Sequence, residues 1–394
     1  MTAVHASQGP PAAHETITAI SATMVVGTAA LLVLGVQPIL LGGLIETGRL
    51  TEAGLGRVAM IEVFALAIGS AIGPFAMNAG AMRLKIAAAA LLLAAVDVGL
   101  FAAHSATSIL ALRGVAGLLE GLLIGAAVVV ITHTHRPDRM NGLFLGITTA
   151  PQIAAAYLLP ALIIPRFGHN AGFALLAASA VVAACAAPFL VDRVEAHAEA
   201  HTQGIAWSPA LLLTVLGGLT QNAGIGAAWN YVERLGAQHG LAPAVIGAAM
   251  AGSLTLQFLG ALLSAWLCWR MPARLMLVAG GFIQAGVVVA MLAHSDAGYI
   301  TAVCLFGLCW LALQPFLISE LIRLDPSRRV AMVMTPVALA GLSLGPLIVS
   351  FAVKTGDVRG GFVGAAALLA AAGAFYGLAP LRRGARPRTV LERR

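Results

Sequence analysis

Charge is scarce in this chain. Only 10% of its 394 residues are Asp, Glu, Lys or Arg and 60% are hydrophobic. Mean hydropathy is +0.93, a balance that excludes an ordinary water-soluble domain. Aromatics are few at 6%, and there are four cysteines. Cys185, Cys268, Cys304 and Cys309 all lie in apolar runs with no Cys-x-x-Cys pair, so they read as small packing residues, not disulfides or zinc ligands. Histidines sit mostly at loop ends, as in 133-HTHRPDR-139, a solvated turn, and no metal site is expected. Signatures of chemistry are missing too. There is no His-Glu-x-x-His, no Gly-x-Gly-Asp and no Gly-x-x-x-x-Gly-Lys-Ser/Thr phosphate loop, which disfavours an enzyme and direct use of ATP. Residues 1–16 hold no Lys or Arg and lead into an apolar run longer than a signal-peptide core, so no cleavable signal is read.

What the chain has instead is long apolar runs. A membrane-spanning helix needs about 20 such residues, and twelve segments qualify, near 18–44, 55–78, 84–103, 107–132, 140–164, 171–191, 209–232, 243–268, 273–293, 297–321, 329–353 and 360–380. They are far too long for barrel strands of about ten alternating residues. The fold class is therefore all-α, a polytopic membrane protein. With the N-terminus inside, sixteen Lys and Arg fall on the cytoplasmic side, six of them after Leu381, against six outside (Arg49, Arg57, Arg166, Arg234, Lys354 and Arg359). This bias places both termini in the cytoplasm, in a cytoplasmic (inner or plasma) membrane. It also accounts for the net charge of +7 without a nucleic-acid partner. The tail 382–394 reads as an orientation anchor.

The longest polar interruption, 192–208, divides the chain into a six-helix bundle at 17–191 and another at 209–381, flanked by cytoplasmic tails 1–16 and 382–394. The halves resemble each other. Gly56 and Gly69, in 50-LTEAGLGRVAMIEVFALAIGS-70, match Gly247 and Gly260, in 241-LAPAVIGAAMAGSLTLQFLGA-261, at one constant offset. A second pair, 138–160 with 327–349, is followed by Gly-Phe at 172–173 and 361–362. Two similar six-helix halves mark a rocking transporter.

Over nearly its whole length the chain resembles the major facilitator superfamily, and in motif the proton-coupled carriers of drugs and organic solutes. In 109-ILALRGVAGLLEG-121, Arg113 and Gly117 match the fourth-span Arg followed four residues later by Gly. In 146-GITTAPQIAA-155, Gly146 and Pro151 match the antiporter motif of the fifth span, while Ala150, Ala154 and Ala155 replace its glycines. The second-to-third loop, 73-GPFAMNAGAMRLK-85, departs from the family's Gly-x-x-x-Asp-Arg-x-Gly-Arg, with Ala76, Met77 and Asn78 in the acidic region. The resemblance implies a fold of two pseudo-symmetric bundles, a fourth span lining a central cavity, and a proton-transfer role for the matching Arg.

Four ionisable residues fall at similar depths in the first bundle: Glu62, Asp97, Arg113 and Glu120. Charges at membrane depth are costly, so their default reading is function. Arg113 and Glu120, at i and i+7, lie two turns apart on one helical face. Low dielectric disfavours an ionised carboxyl and a nearby guanidinium favours it, so a change of hydration moves a proton on or off Glu120. Arg113 and Glu120 are assigned to proton coupling, with Glu62 or Asp97 as relay; the alternative for each is a static ion pair.

The second bundle carries neutral amides beside rings. Gln221, Asn222, Trp229, Asn230, Gln257, Gln284, Trp310 and Gln314, with Gln37 of the first span, are the candidates for binding a moderately polar organic solute. Gln37-Pro38 and Gln314-Pro315 are each expected to free a backbone carbonyl near the pathway. Trp266 and Trp269 read as an aromatic belt, and Glu320 with Arg323 as a local pair. The expectation is a monomeric secondary active transporter moving a small organic solute, without cofactor and powered by the proton gradient, in the direction of efflux. Proton-coupled uptake of a small organic acid, with Arg113 as carboxylate anchor, is the alternative. A transport-inactive receptor or assembly factor is a lesser one.

Overall fold

The computed structural model describes residues 16–78, 80–134, 137–191, 207–268, 270–293 and 295–380. Most of the expected tails and linker lies outside these residues, as does Trp269. Among the described residues there is no strand, and the helices form twelve spans. The first four are Ile17–Glu46, Glu52–Asn78, Met82–Gly99 and Ala106–Thr132. The fifth joins Pro137–Leu158, a π-helical stretch Leu159–Ile163 and Ile164–Phe167; the sixth is Asn170–Ala186 with a 3₁₀ turn, Ala187–Phe189. The seventh to ninth are Pro209–Gln238, Pro243–Leu267 and Ala273–Ala290. The tenth is broken into Asp296–Ala312 and Gln314–Leu324, and Arg329–Ser350 and Arg359–Leu378 complete the set. Eleven spans of the described residues are long and apolar enough to cross a membrane. The third misses because Arg83, Lys85 and Asp97 all lie in its 18 residues.

Local chemistry explains the boundaries. Ser105, Ser208 and Ser295 accept from the backbone N–H three residues on, at 3.1, 3.2 and 2.9 Å, and so cap the fourth, seventh and tenth spans. Gly48 and Gly240 follow the first and seventh spans at φ +70° and +76°. There the chain reverses through Arg49 N–H to Leu44 O (2.9 Å) and Leu241 N–H to Gly236 O (3.1 Å), a closure that favours glycine. Pro160 has no N–H for the carbonyl of Ala156, and the fifth span slips into its π-helical stretch there, a departure the hydropathy pattern did not foretell. Large apolar side chains such as Leu92, Val182, Leu263 and Ile283 remain exposed, as a surface facing lipid requires.

The repeat in the sequence is a repeat in the packing. Gly69 lets the second span touch the backbone at Leu118 of the fourth, and Gly260 lets the eighth touch Leu308 of the tenth. Gly56 lies against Pro346 O of the eleventh span, in the other half. Its counterpart Gly247 lies against Ala156 O of the fifth, again across the seam. Phe173 and Phe362, from the matched Gly-Phe pairs, are both fully buried.

The halves share one apolar core on the side away from the termini. Away from the chain termini a single apolar cluster unites them, including Val36 and Leu41 with Ile225, Leu235, Phe306 and Phe362. Towards the terminal side each half has its own cluster, one around Ile86 and Leu123, the other around Leu211, Leu317 and Tyr376. The seam is therefore sealed opposite the termini.

The loop between the tenth and eleventh spans is organised by Asp325. Its Oδ1 accepts from Ser327 Oγ (2.5 Å) and Ser327 N–H (3.1 Å), and Oδ2 accepts from Val330 N–H (3.0 Å). These hydrogen bonds, the Ser327 hydroxyl foremost, hold the carboxyl below its ordinary pKa. A depressed carboxylate stabilises above its unfolded pKa and stops doing so as pH falls through the folded value. Asp325→Ala is expected to lower Tm slightly at neutral pH, with the gap to wild type closing in acid; thermal melts across pH check it.

Candidate functional site

Inside the first bundle one guanidinium meets three carboxyl groups. Arg113, on the fourth span, donates from Nη1 to Asp97 Oδ1 of the third span at 2.8 Å and from Nη2 to Glu62 Oε1 of the second. Glu120 Oε1 lies 3.6 Å from the same Nη2. The ring of Phe173, from the sixth span, stands 5.9 Å from the guanidinium carbon, within cation–π range. None of the four ionisable residues is more than 2% exposed. The second oxygen of each carboxyl, Glu62 Oε2, Asp97 Oδ2 and Glu120 Oε2, is buried without a hydrogen-bond partner. The sequence placed these residues at similar depths, and the structure brings all four into contact.

Glycine makes the approach possible. Gly117, Gly121 and Gly125 recur every fourth residue along the fourth span, and side chains there would strike backbone atoms at Glu62, Leu66 and Ser70 of the second. Small residues at this spacing let two helices pack backbone to backbone. Gly117, one turn after Arg113, thereby sets Glu62 beside the guanidinium. Charge counting then defines what the cluster can do. Three ionised carboxylates around one Arg⁺ carry two net negative charges in a water-poor bundle, and each proton taken up removes one.

The polar candidates of the second bundle separate into groups. Gln221 accepts from Tyr376 Oη at 2.7 Å and its Nε2 lies 3.5 Å from Gln284 Oε1. This network ties the seventh, ninth and twelfth spans together, and both glutamines are buried inside the second bundle. Asn222 and Asn230 donate back to Gly218 O (2.8 Å) and Gly226 O (3.0 Å), and the seventh span stays helical past its glycines. Gln257, Trp310 and Gln314 are half-buried.

Trp229 belongs to the seal itself. Pro38 has no N–H for the carbonyl of Leu34, which the Trp229 indole takes across the seam at 2.9 Å. The ring packs edge-on against Trp310, with centroids 5.6 Å apart. The expectation of a freed carbonyl at Gln37-Pro38 thus has a partner, although the first span is not broken there, and Gln37 is buried with Nε2 unpaired. The tenth span does break at Gln314-Pro315. Tyr231 is buried too, bonded to Glu52 O at 3.0 Å across the seam. Neither Trp229 nor Tyr231 is therefore part of an interfacial belt.

Gly146 faces Phe258 of the eighth span at ordinary contact distance, and Pro151 lies within the helix one turn on. Trp266 is exposed, with the Arg270 guanidinium 4.0 Å above its ring, and Glu320 and Arg323 make a two-point pair at 2.8 and 2.5 Å. A Gly-x-Ser-x-Gly string at 341–345 lies in mid-helix, where Ser343 donates to Ala340 O at 2.8 Å. It is not the strand-to-helix turn that exposes a nucleophile.

One ionisable residue escaped the sequence reading. Glu233 was set at the edge of the seventh span, but that helix runs on to Gln238, which carries Glu233 to the seam against Gly42 of the first span. The length of the helix beyond Val232 was the missing signal.

No family model matches the sequence, nor does any curated protein. Solved structures do. The nucleoside transporter NupG superposes with a TM-score of 0.76 at 11% identity, covering 91% of this chain and 99% of that one. A bacterial homologue of the human lysosomal transporter Spinster, in an inward-facing and occupied conformation, gives 0.69 at 16% identity, covering 92% and 95%. At such identities the likeness is one of fold, and this chain shares the fold of these two solved transporters.

Proposed function

We propose that the protein is a secondary active transporter that exports a small organic solute in exchange for protons. The observation that carries this reading is the Arg113 cluster, where three carboxyl groups share one guanidinium out of contact with water. Such a cluster is a proton store whose occupancy follows its hydration. Rocking of the halves that wets the fourth span favours ionised Glu120, and reclosure favours proton uptake. Glu120 is the carrier because it is the most loosely held of the three. Glu62 and Asp97 serve as relay, and no cofactor is needed beyond the proton gradient.

The solute would bind on the open side of the seal, near Trp310, Gln257 and Gln314. With both termini in the cytoplasm, as the Lys and Arg distribution favours, the sealed side faces outwards, and a solute for export would load from the cytoplasmic side. Uptake of an organic acid would need Arg113 as a carboxylate anchor, and its guanidinium is already engaged by protein carboxyls. The solved neighbours named as transporters support a carrier role, and NupG makes nucleosides one solute class to screen.

The test uses vesicles reconstituted with the protein around a trapped pH dye, challenged with organic cations, organic anions and nucleosides. A solute that drives proton flux through wild type is expected to drive less than about a tenth of it through Glu120→Gln, while still raising that variant's Tm. Undiminished flux through Glu120→Gln overturns the assignment.

A further inference from the structure

On the sealed side, beyond the Trp229 plug, the seam holds a cavity of about 430 Å³ between the first, fifth, seventh and eighth spans. Both halves wall it. Ile39, Pro160 and Ile164 come from one, and Ala237, Leu241 and Ile246 from the other. That volume lies within the range of roughly 300–1,000 Å³ typical of small-molecule sites. The π-helical stretch of the fifth span borders it through Pro160, and such stretches concentrate at functional sites.

Two of its polar groups are carboxyls. Glu46, Glu233 and His169 line the cavity. Glu46 is already shared, its Oε2 lying 3.4 Å from His169 Nε2 and its Oε1 3.5 Å from Arg234 Nη1. Glu233 is not, since the adjacent Arg234 turns towards Glu46. Its Oε2 is shut off from solvent with no hydrogen-bond partner. A carboxylate there is largely desolvated and only partly compensated by Arg234, whose guanidinium is engaged with Glu46, so an arriving cation gains from it.

We infer that this cavity binds a small organic monocation, an amine with an apolar body, whose ammonium pairs with Glu233. The apolar walls take the body of the ligand, and the Glu46–Arg234 pair across the seam, with the Glu46–His169 pair beside it, keeps the rim in place. Nothing in this inference depends on proton coupling or on the direction of transport, because binding to the purified protein is measured without a gradient.

Thermal unfolding of the full chain in detergent would be followed with phenethylamine, with neutral phenylpropanol and with anionic hydrocinnamate. The amine is expected to raise Tm with increasing concentration, and the other two to have little effect. Glu233→Gln keeps the side-chain shape and is expected to weaken amine binding by roughly tenfold or more, as loss of a charged hydrogen bond does. Ala237→Phe fills the cavity while leaving Glu233 in place, and is expected to abolish the shift. An amine shift undiminished in either variant overturns the site. So does a wild-type response that does not distinguish amine from hydrocinnamate. If Glu233→Gln does not fold, Ala237→Phe decides the matter alone.

Discussion

Arg113→Met is expected to leave little folded protein at neutral pH. The substitution keeps the apolar stem of the side chain but removes the guanidinium that faces Glu62, Asp97 and Glu120. Breaking a buried pair typically costs about 3–5 kcal/mol, because the remaining charge is left uncompensated, and here three carboxyls lose the same partner. Two further results follow. Acid should partly restore the variant, since a protonated carboxyl no longer needs the guanidinium. Neutralising the carboxyls in the same chain, with Glu62→Gln, Asp97→Asn and Glu120→Gln, should restore folding while proton flux stays absent. Size-exclusion recovery and thermal melts at two pH values check both. A stable Arg113→Met protein with unchanged pH dependence would mean that the cluster does not depend on its cation.

Gly121→Val should damage the same bundle by a different route. A Cβ at position 121 would lie 2.7 Å from Ser70 N and 2.8 Å from Gly69 Cα, and closer still to Leu66 O. These are backbone atoms, so no rotamer change relieves the clash and the second and fourth spans must part. Overpacking typically costs about 1–3 kcal/mol and sometimes more; with backbone on both sides the upper end is expected. Separation of the two spans also withdraws Glu62 from Arg113, so proton flux should fall along with Tm. Gly142→Ala is the matched control, because a Cβ there meets nothing within 4 Å and should leave Tm within a few tenths of a degree or raise it. Comparable losses in both variants would show that the close approach at Gly121 is not what holds the bundle.

Much of this architecture was legible in the sequence because a membrane leaves few solutions. Runs of apolar residues between Arg-bearing loops dictate helices, and the constant offset of Gly56 and Gly69 from Gly247 and Gly260 announced two halves before any contact was known. Depth alone brought Glu62, Asp97, Arg113 and Glu120 to one level, and helix packing had only to join them. Other features were hidden because they depend on which face a helix turns inward. Gln221 and Gln284 read as pathway residues, yet a partner with no distinguishing pattern, Tyr376, draws them into the bundle. Trp229 read as a solute-binding ring, and only its bond to Leu34 O reveals it as part of the seam. Glu233 was hidden by a helix that outlasts its apolar stretch, with polar residues in its last two turns.

The indole of Trp229 is held by a carbonyl that Pro38 leaves vacant, and that bond joins groups on opposite halves of the molecule. Such a bond exists only while the seam is shut, so the protein carries its own optical label. When the halves part, the ring exchanges a rigid, apolar setting against Trp310 for water, and its emission should move to longer wavelength. With five tryptophans in the chain, replacement of Trp207, Trp266 and Trp269 by Phe would leave this pair to report each opening in real time.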